Sequence, residues 1–361
     1  MLSLFHPNDS IRLVFSGLYE STLAQGILLS ANIAQAQTHH LYHLARFFFD
    51  LQSYGYLVVD DHLDAKSCKT IAIFLDVPCD DLASKELIAL SDESILLLAE
   101  HPYYQPKSWK DFASCVDTVI HSYQLPASLS CNRALNSITS FAYRDLPDCT
   151  GIHEEEVIYS ANPSIFNGSS YLASIFCSDF VSPSSSLYAF RRHLINASVM
   201  ALGSNFLHCG KGWLEPRTLK GFIRGLKKQY VARRNRFPAI SLDSYHGSPP
   251  TKSLLSICHS TYSIENFLEP RGYTTEKPLE ALSFGSIPVY VGCNDGNWLS
   301  RFIPIYSAST FQVLSSVSSY ANQSLHESRQ HAIKLRAEIN SFLNSTERTS
   351  LALLFSLLNE S

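Results

Sequence analysis

Apolar residues recur at helical spacing over Thr38–Leu51, where Leu41, Leu44, Ala45, Phe48 and Leu51 share one face, and Gly55 follows as a stop signal. Tyr56–Val59, Thr70–Leu75 and Ser94–Ala99 are short apolar runs bounded by Asp, Pro or Ser. Their length and composition fit strands buried on both faces of a parallel sheet. Strands and helices alternating at this pitch predict α/β units. The periodicity weakens from Cys131 to Pro163, around Asp145-Leu-Pro-Asp148 and the acidic His153-Glu-Glu-Glu156, which places a domain boundary there. Beyond it, Tyr171–Cys177 reads as a strand and Leu187–Val199 as a helix. Leu219, Phe222, Ile223, Leu226 and Tyr230 form another apolar helical face. Ser253–Tyr262 and Ser286–Val291 read as strands flanking a helix from Lys277 to Phe284, and Tyr320–Asn359 as a final helical region. The second half thus repeats the alternation of the first, giving domains over 1–155 and 156–330 and a helical segment over 331–361.

Composition narrows the function. With 361 residues, 45% of them hydrophobic, the chain can bury more than one core, in keeping with two domains. Its 28 Lys and Arg against 32 Asp and Glu give a net charge of −4, which argues against a protein that wraps nucleic acid. No run reaches the roughly 18 to 20 apolar residues of a spanning helix, and Met1–Gln37 lacks a basic start followed by a long apolar stretch. A soluble, cytosolic protein is the expectation, with peripheral association to the inner membrane left open. The nine cysteines are odd in number, scattered and free of any C-x-x-C pair, as expected of thiols in a reducing compartment. Asn-x-Ser/Thr triplets at Asn167 and Asn344 arise readily in a serine-rich chain.

Three clusters invite chemistry and have plainer explanations. His39 and His43 stand at metal-ligand spacing on a helix, but no H-E-x-x-H pattern follows, so surface or core histidines are the commoner case. His153-Glu-Glu-Glu156 reads first as a charged loop. Arg217, Lys220, Arg224, Lys227, Lys228, Arg233, Arg234 and Arg236 read first as the solvated face of an amphipathic helix, with a phosphate-facing or membrane-touching patch as the minority reading.

The segment from Tyr262 to Gly292 carries more. Strand, loop, helix start and second strand follow one another, and Lys277 lies in the first turn of the helix, beside unpaired N–H groups. That combination suits a diphosphate, and Pro278 is tolerated in a first turn. An ordinary α/β crossover would look the same at this level.

Glu265-Asn266, then Tyr273-Thr-Thr-Glu276-Lys277, then Gly285-x-x-Pro288-Val-Tyr-x-Gly292 resembles the donor-site signature of the α-1,3-fucosyltransferases, glycosyltransferase family 10. Leu187-Tyr-Ala-Phe-Arg191-x-x-x-Ile195, His208-Cys-Gly-Lys-Gly-Trp213, Tyr245-His-Gly247 and Lys252 fall in the order of its bacterial members. Leu96-Leu-Leu-Ala-Glu100-His-Pro-Tyr-Tyr-Gln-Pro106-x-x-Trp109-x-x-Phe112 is similar to its acceptor-side segment. Phe267 in place of the family's usual Ser, a longer loop before Tyr273, and Pro278 in place of an aliphatic residue depart from the pattern.

The resemblance implies an α/β fold of GT-B type, two Rossmann-like domains facing across a cleft, with the acceptor on the N-terminal domain and the GDP-sugar on the C-terminal one. It implies inverting transfer of L-fucose from GDP-fucose to a glycan hydroxyl, without a metal or other cofactor. Such a transfer needs a base to take the hydroxyl proton, for which Glu100 stands at the end of an apolar run, and cations to offset the charge on departing GDP, for which Arg191 and Lys277 serve. Arg192 is the neighbouring alternative to Arg191. By the same resemblance Glu276 holds ribose hydroxyls, while Asn266 and Tyr273 shape the fucose and diphosphate pocket. The expected partners are the nucleotide sugar and a glycan of bacterial-surface or lipopolysaccharide-precursor type. Transfer from another GDP-sugar, and a non-catalytic glycan-binding relative, remain the alternatives. Acceptor, linkage and oligomeric state carry no motif.

Overall fold

The computed structural model describes residues 2–17, 20–36, 41–59, 68–78, 81–99, 105–139 apart from 124 and 128, 142–150, 170–177, 187–210, 253–268 and 274–360. Positions 213, 223, 226, 230, 234 and 245 are described singly. The chain divides into two α/β units, each built on a Rossmann-like, mainly parallel sheet: Met1–Asp145 with Arg271–Glu276 and Asn340–Ser361, and Leu146–Pro270 with Lys277–Ile339.

In the first unit, β1 (Leu2–His6) and β2 (Ile11–Gly17) form a hairpin, followed by α1 (Glu20–Ser30), α2 (Tyr42–Ser53), β3 (Leu57–Val59), β4 (Lys69–Leu75) and α3 (Asp81–Leu90). Then come β5 (Glu93–Leu98), α4 (Trp109–Ala113), β6 (Thr118–His121) and β7 (Arg133–Asn136). The sheet order is β3-β1-β2-β4-β5-β6-β7, parallel from β2 to β7. The apolar runs of β4 and β5 are buried on both faces, as their sequences predict. The predicted face of α2 is also buried, and Phe47, Phe48 and Leu51 join Leu4, Leu13 and Phe15 in one core. The run Tyr56–Val59 behaves otherwise. Its strand pairs antiparallel with β1 alone at the sheet edge, where Leu57 and Val58 are exposed, because an edge strand has only one neighbour.

In the second unit, β8 (Tyr171–Phe176) leads to α5 (Tyr188–Leu202), β9 (Phe206–Cys209), β10 (Cys258–Ile264) and α6 (Lys277–Ser283). β11 (Ile287–Val291), β12 (Ile305–Tyr306) and α7 (Thr310–Ser318) follow, and α8 (Leu325–Thr346) is divided between the units after Ile339. The last helix, α9 (Ser350–Glu360), returns Leu351, Leu354 and Phe355 to the core of the first unit. The second sheet runs β12-β11-β10-β8-β9, parallel throughout. β10 starts later than its sequence suggests, because Ser253–Ile257 form a 3-10 turn. Ser256 Oγ donates to Ser253 O and Cys258 Sγ to Leu254 O, so local side-chain bonds compete with the ladder there.

A second correction concerns the basic segment. Ile223, Leu226 and Tyr230, expected on a packed apolar face, are helical but 58%, 51% and 64% exposed.

Candidate functional site

The second sheet changes winding direction between β8 and β10: from β8 the chain goes out to β9, and from β10 to β11 and β12 on the other side. Ligands of open parallel sheets collect outside the carboxyl ends of the strands at such a point. Here that edge is closely built. The N–H of Leu187 donates to Asn266 O at 3.2 Å, seating the start of α5 against the residues that follow β10. One turn along, Arg191 is only 5% exposed, with its guanidinium 4.7 Å from the centre of the Tyr188 ring. Its Nη2 donates to Ile264 O at 2.6 Å and to Asn266 Oδ1 at 2.7 Å. Both acceptors are neutral, and Nε, also buried, has no hydrogen-bond partner among the described residues. A buried guanidinium whose partners are all neutral is costly unless an anion completes its shell.

Lys277 is arranged differently. Its Nζ lies 3.2 Å from Oε2 of Glu265, which has no solvent exposure, and the Tyr290 hydroxyl donates to the other carboxylate oxygen at 3.0 Å. The Glu265 N–H continues the sheet by donating to Val291 O at 3.0 Å. Ser263 Oγ donates to the Lys277 carbonyl at 3.2 Å, tying the start of α6 back to β10. Gly292 makes room for this cluster, since a Cβ there would sit 2.7 Å from the Tyr290 ring and hydroxyl. At the neighbouring strand end Gly210, with φ +144°, lets β9 approach the Cys177 carbonyl, with which a Cβ would overlap.

Thus Arg191, Asn266 and Lys277 come together at the end of β10. Glu276, in the first unit, acts electrostatically on His43, favouring its charged form. Burial outweighs this and lowers the His43 pKa to about 4, with the ring against the Tyr143 backbone. Arg192 is buried and lies 5.8 Å from the centre of the Trp213 ring. Glu100, Tyr273, His39 and His153-Glu-Glu-Glu156 lie outside the described residues. No group of three or more His, Cys, Asp or Glu placed to hold a metal occurs among the described residues. No helix among them is long and apolar enough to cross a membrane.

The flanks of Glu100 are described. Asp76, fully buried at φ +58°, accepts from the Ala99 N–H at 2.8 Å and from Gln105 Nε2 at 2.6 Å. Gln105 Oε1 in turn accepts from the Val77 N–H at 3.2 Å. A cavity of about 400 Å³ lies at the opposite end of these strands, lined by His6, Asp9, Tyr54 and Lys69, and none of the sequence-predicted residues borders it.

Sequence reasoning missed Asp76 and the role of Glu265. Asp76 stands directly after the apolar run of β4, which was the available signal; Glu265 follows Cys-His-Ser-Thr-Tyr-Ser-Ile, whose polar residues give none.

No protein-family model matches the chain, and no curated protein sequence matches it. Among solved structures it is similar to an O-GlcNAc transferase variant from Thermobaculum terrenum, at 12% identity over 97% of this chain and 66% of that one, with a TM-score of 0.49. A glycosyltransferase from Rickettsia africae is 10% identical over 93% and 98% of the two chains, with a TM-score of 0.46. A UDP-forming α,α-trehalose-phosphate synthase from Burkholderia xenovorans is 10% identical over 94% and 85%, with a TM-score of 0.45. Likenesses this distant leave donor, acceptor and reaction to be argued from the chain's own residues.

Proposed function

We propose that the chain is a GT-B glycosyltransferase that transfers a sugar, L-fucose from GDP-fucose, to a hydroxyl of a glycan. The observation that carries the donor half is Arg191: a buried guanidinium at the switch point of a parallel sheet, with neutral partners and an unpartnered Nε among the described residues. A nucleoside diphosphate supplies the missing anion, and a planar guanidinium suits its oxygens. Lys277, already matched by Glu265, adds less net charge and serves by fixing the start of α6. Asn266 orients Arg191 through its side-chain oxygen. The choice of GDP and of fucose rests on the motif resemblance around Glu265-Asn266 and Tyr273–Gly292.

In the reaction the acceptor oxygen bonds to the anomeric carbon as the bond from that carbon to the diphosphate breaks, inverting the centre. The hydroxyl proton passes to Glu100, and GDP leaves with its charge offset by Arg191 and Lys277 rather than by a metal. By the motif resemblance, Glu276 is assigned to the ribose hydroxyls and Tyr273 to the sugar.

The test is release of GDP or UDP from GDP-fucose, GDP-mannose and UDP-sugars, with and without lactose- and N-acetyllactosamine-type acceptors. Acceptor-stimulated release from GDP-fucose alone is expected. Release from another donor overturns the sugar, and GDP binding unchanged in Arg191→Met overturns the site. Glu100→Gln should abolish transfer while GDP still binds; full turnover in that variant removes Glu100 as the base.

A further inference from the structure

We propose that the surface bearing Ile223, Leu226, Tyr230 and Arg234, each of them helical, is a docking surface for an anionic lipid bilayer. Ile223, Leu226 and Tyr230 are each more than half exposed, and Arg234 is exposed beside them. In the sequence pattern, at about 100° per residue, Ile223, Tyr230 and Arg234 fall within roughly 40° of one another and Leu226 about 60° to one side. Single exposed apolar residues are ordinary, but a stripe of three on successive turns is a surface.

Charge identifies what covers it. From Arg217 to Arg236 the sequence has eight basic and no acidic residues, in a chain whose net charge is −4. In the sequence pattern the same period sets Lys220, Lys227 and Arg224 on the flank next to Arg234 and Arg233 on the other side, about 20° beyond Leu226, so basic residues border the apolar stripe on both sides. A second copy of this acidic chain would meet the apolar stripe without needing a cationic flank. Nucleic acid would use the flank and gain nothing from the stripe. A bilayer with anionic headgroups uses both, burying Ile223 and Leu226 at the acyl boundary, the Tyr230 ring at headgroup level and the cations among phosphates.

The experiment is co-sedimentation of the full chain with phosphatidylcholine vesicles, alone or with about one third phosphatidylglycerol. Binding to the anionic vesicles should be roughly tenfold stronger and should weaken with added salt. Ile223→Ser, Leu226→Ser and Tyr230→Ser together should lower it by about tenfold at unchanged melting temperature, because the three side chains are already in water. Lys220→Glu with Lys227→Glu should remove the preference for anionic lipid, and decides the matter should the triple variant lose its cooperative melt. Equal binding to neutral and anionic vesicles overturns the proposal, as does binding indifferent to both variants. A concentration-dependent dimer abolished by the triple variant would assign the stripe to a second copy instead.

Discussion

Two buried carboxylates occupy the same place in the two sheets and do different work. Asp76 is the first residue past β4 and Glu265 the first past β10; neither has any solvent exposure. Each extends its strand by one backbone bond to the next, Asp76 N–H to Leu97 O at 2.9 Å and Glu265 N–H to Val291 O at 3.0 Å. The difference begins at the side chain. The shorter Asp76, on a left-handed backbone, turns back to amides and ties Ala99 to Gln105. The longer Glu265 reaches across to a cation and a phenol. One carboxylate therefore fixes backbone and the other fixes charge.

The comparison breaks most visibly at Lys277. Lys277→Met takes the cation from the fully buried Glu265 carboxylate, and losing one partner of such a pair costs about 3–5 kcal/mol, read as a drop in the urea midpoint. Glu265→Gln costs less, because Lys277, 24% exposed at its side chain, can turn to water. A double variant more stable than Lys277→Met alone is expected; equal loss in both would mean that the pair is not coupled.

In the first unit the expected cost is smaller. Asp76→Ala removes two hydrogen bonds to a buried acceptor, for about 2–3 kcal/mol. Asp76→Asn keeps an acceptor and tolerates the positive φ, so about 1 kcal/mol is expected. Asn matching Ala in a urea titration would show that the carboxylate oxygen is not what holds Ala99 and Gln105.

The first unit also contains a group that burial keeps neutral. His43 has a pKa of about 4 in the folded chain, against an ordinary 6.5 when unfolded. Above pH 6.5 both states are neutral and the ring contributes no pH dependence. As pH falls through 6.5 the unfolded chain gains the proton first, and stability is lost until about pH 4. Between pH 7 and pH 5 this amounts to about 2 kcal/mol, and His43→Gln should flatten that limb of the melting-temperature profile. A slope unchanged in the variant would assign the titration to another group.

Much of this architecture is legible from hydrophobic period. Leu41, Leu44, Ala45, Phe48 and Leu51 share a helical face because that face is buried, and β4, β5 and β11 read as uninterrupted apolar runs because parallel strands are covered on both sides. Period fails where the neighbour count matters: Leu57 and Val58 are as apolar as an inner strand yet lie at an edge, and Ile223, Leu226 and Tyr230 mark a face without saying what meets it. At the site, the motif brings Arg191, Asn266 and Lys277 to one strand end. It does not show that Glu265 already occupies Lys277, because the pair forms only in the packed sheet, where Ser263 ties the start of α6 to β10 and the register of β10 against β11 sets Tyr290 beside Glu265.

The smallest effect tests that register directly. Tyr290 is fully buried, so its ring cannot swing into solvent to admit a Cβ at Gly292, which would stand 2.7 Å from Cζ and the hydroxyl. In Gly292→Ala the ring must slide along β11 and lengthen its 3.0 Å bond to Glu265, for about 1–2 kcal/mol of overpacking and weakened bonding. Tyr290→Phe removes only the hydroxyl and its bond to Glu265, for about 1 kcal/mol. If Gly292 is there to place that hydroxyl, the two changes overlap, and Gly292→Ala with Tyr290→Phe should cost less than their sum. Strict additivity in the cycle would mean that the glycine serves the backbone alone and that Glu265 depends on Lys277.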